Sequence, residues 1–243
     1  MRKASHHWIS PRLGRDLGLV VYGHWGPPML LFPTSGGDEW EVEHQGLIGA
    51  LEEFIEAGRV KVYAIGSVNA ESFYNKQAHP FHRSYMQSQF DGYVRHEVIP
   101  FVEHDCLTPG IAVTTAGASF GAYHAANSVF KHPDVVKRCF ALSGLYDLRR
   151  FMDGQYDDNF YFNNPVDYLA NLSDSAILAE LATCDIHIAT GCGPWEHREW
   201  SDELSAVLTL RGIPHSLDDW GPLGGHDWPY WTHQMREYVA RHF

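Results

Sequence analysis

Hydrophobic positions along the chain follow two alternating spacings, which predict strands separated by helices. Continuous apolar or β-branched runs, typical of buried strands, are followed by segments with helical spacing, such as residues 45–57. The seven predicted strands are residues 17–22, 29–32, 60–65, 111–116, 136–142, 186–190 and 215–219. This alternation indicates an α/β fold in which helices cover both faces of a mostly parallel central sheet.

The length of the chain is sufficient for one domain with a large core. It has 243 residues, of which 44% are hydrophobic, and α/β chains of this size form single domains. Residues 146–184 break the alternation and are predicted to be an insertion that shapes a substrate mouth. We therefore predict one domain over residues 1–243, with His6 and His7 in a frayed N-terminus.

Residues 117–121 read Gly-Ala-Ser-Phe-Gly and lie between a predicted strand and a predicted helix. A serine hydroxyl is a weak nucleophile unless it is exposed beside a base, with donors ready for the oxyanion. A Gly-x-Ser-x-Gly turn from strand to helix supplies that exposure, because its glycines let the chain reverse without side-chain clashes. This pattern makes Ser119 the candidate nucleophile. An ordinary tight turn without chemistry is the alternative.

A Gly-Gly-His sequence ending at His226 lies about a hundred residues later, after the last predicted strand and before a terminal helix. A general base must reach the serine hydroxyl and have a pKa near working pH, which histidine has. His226 is therefore the candidate base. Among the other histidines, His124 is predicted to pack, and His79 and His82 flank a proline and make a poor metal pair.

A carboxylate between the serine and the histidine is expected at the C-terminal end of a strand. Glu196 is the first carboxylate after the sixth predicted strand, where it would accept the second imidazole N–H. Asp147, after the fifth predicted strand, is the alternative, whereas Asp218 and Asp219 lie on the last strand itself. Glu196 could equally be a helix N-terminal carboxylate that favours the helix dipole.

These segments together resemble the esterase D branch of the α/β-hydrolases, which includes S-formylglutathione hydrolases, feruloyl esterases and mycolyltransferases. The matching segments are residues 30–37, 117–121, 143–144 and 225–228. The resemblance covers nearly the whole chain and implies a three-layer α/β-hydrolase fold. Many members carry an aspartate in Gly-x-x-Asp after the sixth strand. Here Glu196 ends a Cys-Gly-Pro-x-Glu segment similar to that of the mycolyltransferases, which favours Glu196 as the acid.

An oxyanion hole requires two backbone N–H groups aimed at the developing charge. One is expected from Phe120, the residue after the nucleophile. The second is expected from the loop after the early strand, where Pro33 has no N–H to donate. The resemblance implies Ser35 for this second donor, with Gly36 as the alternative.

The net charge of −12 disfavours nucleic acid and anionic membrane surfaces as partners, since both require basic patches. No apolar run approaches the roughly 18 residues that span a bilayer, and the N-terminus lacks the apolar core of a secretory signal. The four cysteines follow no metal-ligand spacing and are expected to be reduced. We expect a cytoplasmic protein without metal or cofactor. The oligomeric state, including a homo-oligomer, is left open.

The sequence predicts a serine hydrolase that cleaves a small-molecule carboxylic ester. Trp40 and Trp228 are candidate substrate-binding residues because their loops flank the expected oxyanion hole and base, and core packing is the alternative for each. Two other functions compete with ester hydrolysis. An acyltransferase would use the same triad with a different acceptor, and a binding protein would retain only the hydrolase scaffold.

Overall fold

A computed structural model describes all residues, 1–243, and contains one eight-stranded sheet. The strands are β1 (Lys3–Ile9), β2 (Asp16–Tyr22), β3 (Pro28–Phe32), β4 (Lys61–Ile65), β5 (Val113–Ala118), β6 (Val136–Leu142), β7 (Asp185–Thr190) and β8 (Ser216–Asp219). Their order across the sheet is β1-β2-β4-β3-β5-β6-β7-β8. Only β2 runs against its neighbours, and the other pairs are parallel.

Helices occupy both faces of this sheet. They are α1 (Glu41–His44), α2 (Leu47–Ala50), α3 (Glu52–Glu56), α4 (Pro80–Tyr93), α5 (Ile99–Asp105), α6 (Phe120–Lys131), α7 (Asp158–Tyr161), α8 (Pro165–Tyr168), α9 (Ser175–Leu181), α10 (Arg198–Leu210) and α11 (Trp228–His242). A π-helical segment, Val94–Val98, joins α4 to α5, and 3-10 turns cover Arg149–Phe151 and Gly221–Leu223. None of these helices combines the length and the apolarity needed to cross a membrane.

Successive side chains of the inner strands enter different hydrophobic cores. On β2, Leu19 and Val21 pack with α4, α5, α6 and α10, whereas Val20 and Tyr22 pack with α1, α2, α3 and α11. Because strand side chains alternate between the two faces, a strand buried on both sides is apolar throughout. The predicted three-layer α/β architecture with a mostly parallel sheet is confirmed.

The chain order places a crevice at the centre of the sheet. After β3 the chain adds β4 on one side, and it then crosses over to place β5 on the other side of β3. The loops that follow β3 and β5 therefore leave neighbouring strands in opposite directions, which is where open α/β sheets bind ligands. The segment with Ser119 follows β5, and the segment with Ser35 follows β3.

Two local predictions were wrong. The single helix predicted at 45–57 is divided between α2 and α3, which meet at Leu51, and Gly46, with a left-handed φ of +82°, separates this segment from α1. The N-terminus is not frayed, since Lys3–Ile9 forms β1 and pairs with all of β2. Its burial alternates residue by residue, which marks an edge strand with one solvent face.

Candidate active site

The turn between β5 and α6 holds Ser119 in a strained backbone conformation. Its φ of +56° and ψ of −121° lie in a region that non-glycine residues seldom adopt, and such strain concentrates at functional sites. The flanking glycine Gly121 is required by close packing. A Cβ added there would lie 2.6 Å from the carbonyl oxygen of Phe32 and 2.7 Å from that of Pro33. The elbow is thus pressed against the end of β3.

The imidazole of His226 contacts the serine hydroxyl directly. Its Nε2 lies 3.0 Å from Ser119 Oγ, within normal hydrogen-bond range. When the serine donates this bond, the neutral ring must carry its proton on Nδ1. Trp231 packs edge-on against the imidazole, with ring centroids 5.0 Å apart, and its indole N–H donates to Ser143 Oγ over 3.1 Å. The ring orientation is therefore fixed from a second side.

The loop that carries His226 is bound by backbone contacts to the loop after β7. The His226 N–H donates to the Pro194 carbonyl over 2.9 Å, and the Gly193 N–H donates to the Gly224 carbonyl over 2.9 Å. A Cβ on Gly224 would lie 2.8 Å from the Cα of Gly191. The glycines of these two loops thus allow the backbones to touch, which places His226 beside the segment that contains Glu196.

Glu196 is the carboxylate that faces the far side of the imidazole. Its Oε2 lies 3.9 Å from His226 Nδ1, and its side chain is only 1% exposed. The hydroxyl of Thr190 donates to Oε1 over 3.1 Å. Both Oε2 and His226 Nδ1 are buried without any hydrogen-bond partner. The two atoms therefore face each other across a gap about 0.7 Å too long for a hydrogen bond.

The alternative acids are engaged elsewhere. Asp147 pairs with Arg149 at 2.6 Å and accepts a long 3.4 Å bond from the side chain of Asn164. Asp218 accepts a 2.6 Å hydrogen bond from the Tyr238 hydroxyl and contacts His187 on the neighbouring strand. Neither carboxylate forms an ion pair or hydrogen bond with His226. The geometry therefore favours Glu196 over Asp147.

Two residues that line the cleft with Ser119, Phe120 and Ser35, are the candidate oxyanion donors. Phe120 is the first residue of α6, so its N–H precedes the intrahelical bonds, and Ser35 lies in the irregular turn after β3. The N–H of Ser35 has no acceptor within the protein. Ser35 lines the cleft in front of Ser119, whereas Gly36 does not. This placement favours Ser35 over Gly36 as the second oxyanion donor.

A chain of hydrogen bonds anchors this loop at Thr34. The carboxylate of Glu41 accepts from the Thr34 N–H at 2.7 Å and from its hydroxyl at 2.6 Å. The carbonyl of Thr34 accepts from the Asn69 side-chain amide at 3.2 Å. Burial lowers the pKa of His124 to about 3, which keeps its ring neutral. The side-chain oxygen Oδ1 of Asn69 can only accept, so His124 Nε2 donates to it at 2.8 Å. This network joins α6 to the loop of Ser35.

Comparison with known proteins identifies the arrangement. Residues 10–242 match the family model described as "Putative esterase". The chain belongs to this family. No curated protein matches its sequence. Among solved structures it is similar to a ferulic acid esterase, with 16% identity, coverage of 100% of this chain and 99% of the other, and a TM-score of 0.75.

Two further solved structures share the fold. An S-formylglutathione hydrolase from Agrobacterium tumefaciens has 12% identity and a TM-score of 0.73, with 99% of this chain and 94% of the other covered. FphF, a fluorophosphonate-binding serine hydrolase of Staphylococcus aureus, has 17% identity and a TM-score of 0.68, with 99% and 97% covered. The resemblance to the esterase D branch is confirmed, and the protein is an α/β-hydrolase enzyme of the esterase class.

A cleft of about 330 Å³ opens in front of the serine of the esterase. Its lining residues are Ser35, Tyr74, Ser119, Phe120, Leu145, Arg150, Trp195, His197, Trp200 and His226. The sequence did not single out Tyr74, Arg150 or the two tryptophans. A signal existed for Arg150, since it lies in the insertion predicted to shape the substrate mouth, and for Trp195, which precedes Glu196.

Neither tryptophan proposed from the sequence as a substrate-binding residue lines this cleft. Trp40 and Trp228 are half-buried and pack against the core on the α11 side of the sheet. Trp40 lies under the ammonium of Lys3, and Trp228 packs edge-on against Trp231 at 5.4 Å. Their placement supports the alternative of core packing. The tryptophans that do line the cleft are Trp195, in the loop after β7, and Trp200, in α10.

Burial lowers the pKa of His226 and raises the pKa of Glu196. Desolvation lowers the pKa of His226, and the nearby charge of His197 lowers it further, while Asp227 acts weakly in the other direction. Desolvation also raises the pKa of Glu196, and the hydrogen bond from the Thr190 hydroxyl acts in the opposite direction. The imidazole of the resting esterase is therefore neutral near pH 7, as a general base must be.

One cluster outside the cleft has the residue types of a metal site. Asp185, His187 and His242 place one ligand atom each within 4.8 Å of one another. Those atoms already have partners: Arg138 donates to Asp185 at 2.7 Å, and His187 contacts both Asp185 and Asp218. Hydrogen bonds and ion pairs therefore account for this cluster.

Proposed function

We propose that the protein is a serine carboxylesterase that hydrolyses a small-molecule ester through an acyl-enzyme on Ser119. The observation that carries the proposal is the 3.0 Å contact between Ser119 Oγ and His226 Nε2, made by a serine held at a strained turn. A nucleophile within hydrogen-bond reach of its base is the arrangement that covalent acyl transfer requires. The family supports the reaction class.

Acylation begins when Ser119 Oγ attacks the ester carbonyl carbon and His226 Nε2 accepts the serine proton. The carbonyl oxygen becomes an oxyanion, which the N–H groups of Phe120 and Ser35 stabilise. The C–O bond to the alcohol then breaks. The imidazolium returns its proton to the departing alkoxide, so an alcohol leaves and the acyl group remains on Ser119.

Deacylation repeats these steps with water. His226 takes a proton from water, and the water oxygen attacks the acyl carbon to give a second tetrahedral intermediate, whose oxyanion the same N–H groups stabilise. The bond between the acyl carbon and Ser119 Oγ then breaks. The proton returns to Ser119 Oγ as the carboxylic acid leaves. Glu196 acts on His226 Nδ1, where it holds the tautomer and stabilises the imidazolium. Catalytic hydrogen bonds that are long in a free enzyme shorten in the complex, so we expect the 3.9 Å gap to close.

A panel of chromogenic 4-nitrophenyl esters with increasing acyl length tests the proposal. We expect hydrolysis by the wild type and loss of activity in Ser119→Ala. Ser128→Ala is a matched control, because Ser128 lies on the same helix and its hydroxyl donates to the backbone carbonyl of His124. Equal activity in wild type and Ser119→Ala would exclude the acyl-enzyme. Adding an alcohol measures how the acyl group partitions between water and other acceptors, which detects an acyltransferase.

We further propose that the protein is cytoplasmic. All four cysteines are free thiols, and Cys139 and Cys184 are buried. Thiols persist in reducing compartments, which supports the cytoplasmic location expected from the sequence.

A further inference from the structure

Arg150 lies in the same cleft as Ser119 and His226 and has no acidic partner in the protein. Its neighbour in sequence provides a contrast. Arg149 forms ion pairs with Asp147 and Asp167 and does not line the cleft. The insertion thus places one paired arginine outside the cleft and one unpaired arginine within it.

Aromatic rings, not carboxylates, hold the guanidinium of Arg150. Its central carbon lies 4.9 Å from the ring centroid of Trp200 and 5.1 Å from that of Phe151. Contact with a ring face leaves the N–H groups at the edge of a guanidinium free to donate. A guanidinium presents these donors in a fork that matches the two oxygens of a carboxylate.

The charge of the cleft is opposite to that of the whole protein. None of its ten lining residues is acidic, and its other ionisable groups are Tyr74 and the two histidines His197 and His226. The complete chain carries a net charge of −12. A basic group in a concave site of an acidic protein concentrates anions at that place.

We propose that Arg150 binds a carboxylate carried by the substrate, so that the preferred ester is an anion. This inference rests on the proposed esterase function. A sphere with the volume of the cleft is about 9 Å across, so a carboxylate on Arg150 lies within a few bonds of the ester carbonyl at Ser119. The substrate class is then a monoester of a short dicarboxylic acid or an ester of a short hydroxy acid.

Two pairs of substrates distinguish a carboxylate on the acyl side of the ester from one on the alcohol side. Monomethyl glutarate carries it on the acyl side, and its neutral monoamide is the matched control. 4-Acetoxybenzoate carries it on the alcohol side, with 4-acetoxybenzamide as its control. We expect the wild type to prefer the anion of one pair by about 10- to 100-fold in kcat/KM, as a charged hydrogen bond provides.

Variants of Arg149 and Arg150 show which of these arginines causes the preference for the anionic substrate. Arg150→Gln should abolish it by lowering kcat/KM for the anion while leaving the neutral amide within about threefold, and Arg150→Lys should restore part of it. Arg149→Gln should retain the preference. A wild type without preference for either anion overturns the proposal, as does equal loss of anionic and neutral substrates in Arg150→Gln.

A binding measurement separates this inference from the proposed reaction. Glutarate is titrated into Ser119→Ala and followed by tryptophan fluorescence, since Trp200 lies against Arg150. We expect saturable binding that Ser119→Ala/Arg150→Gln lacks. Binding without turnover of any ester by the wild type would reject the esterase function alone. Turnover of esters without Arg150-dependent binding of glutarate would reject the carboxylate site alone.

Discussion

His226 is held by two regions of the molecule that differ in how completely they are assembled. On the Nε2 side, the elbow after β5 places Ser119 Oγ within 3.0 Å. On the Nδ1 side, the loop after β7 places Glu196 at 3.9 Å, with both facing atoms buried and unpartnered. The first contact is made in the resting protein, whereas the second is not.

The difference follows from where each region lies in the sheet. The elbow leaves a central strand, and Gly121 packs it against the backbone of β3, so the turn has no room to shift. Glu196 lies on a loop between β7 and α10, near the edge of the sheet, and its carboxylate is tied to the protein by the Thr190 hydroxyl. We infer that nucleophile and base form the rigid part of the site and that the acid adjusts during turnover.

The largest effect is expected on the assembled side. Ser119→Ala and His226→Ala should each lower kcat by about 10⁵- to 10⁶-fold, because triad members act as a unit. The double variant should be no worse than either single one. Steady-state kinetics with circular dichroism as a control for folding measures this. A His226→Ala enzyme that retains most of its activity would contradict the assignment of the base.

A smaller loss is expected on the acid side. Glu196→Gln should lower kcat by about 10²- to 10⁴-fold with little change in KM, since an amide cannot stabilise the imidazolium. Asp147→Asn is the control and should change kcat by less than about threefold. A larger loss of kcat in Asp147→Asn than in Glu196→Gln would assign the acid to Asp147 and would contradict the role given to the loop after β7.

The same substitution has a predicted effect on stability. Burial raises the pKa of Glu196, so the stability linked to its protonated form is present at low pH and lost as pH rises through the folded-state pKa. At pH 7 the buried ionised carboxylate lowers the free energy of unfolding, and Glu196→Gln removes this charge. The thermal midpoint of the variant at pH 7 should therefore equal or exceed that of the wild type. A lower midpoint at pH 7 would show that the carboxylate stabilises the fold.

The backbone contacts of the elbow can be tested by adding one methyl group. Gly121→Ala should destabilise the protein by about 1–3 kcal/mol, because the Cβ meets the carbonyl oxygens of Phe32 and Pro33. Gly49→Ala is the control, since nothing lies within 4 Å of its Cβ in α2, and it should be neutral or slightly stabilising. Urea unfolding of both variants measures the difference. Equal free energies of unfolding for Gly121→Ala and Gly49→Ala would contradict the close contact between Gly121 and the backbone after β3.

The smallest effect concerns the pH dependence of the base. Because burial and His197 lower the pKa of His226, kcat/KM should rise through a midpoint below the ordinary histidine value of about 6.5. His197→Gln removes a positive charge and should raise this midpoint by a few tenths of a unit. Asp227→Asn removes a negative charge and should lower it. Shifts of the opposite sign would contradict the cause assigned here.

Much of the molecule could be predicted because its signals are local. The strands around Ser119 are continuous apolar runs, and the elbow is specified by five consecutive residues. What failed is not visible in the local spacing of hydrophobic residues. The segment 45–57 is divided into two short helices at Leu51, and β1 forms because β2 offers it an edge. Amphipathic spacing cannot express either effect.

The residues that line the cleft could not be predicted from the sequence for a similar reason. Trp40 and Trp228 are near the site in sequence, yet both turn towards the core. Arg150 and Trp200 lie about fifty residues apart and meet because the segment after β6 packs against α10. The gap between Glu196 and His226 is set by backbone packing between two loops, which sequence spacing does not determine.

The central claim is that Ser119, activated by His226, is the nucleophile of the esterase. Labelling with a fluorophosphonate, followed by intact mass spectrometry and peptide mapping, tests it most directly. We predict one adduct, on Ser119, that abolishes ester cleavage, with no adduct in Ser119→Ala and strongly slowed labelling in His226→Ala. An adduct on another residue, or an unlabelled enzyme with full activity, would contradict the account.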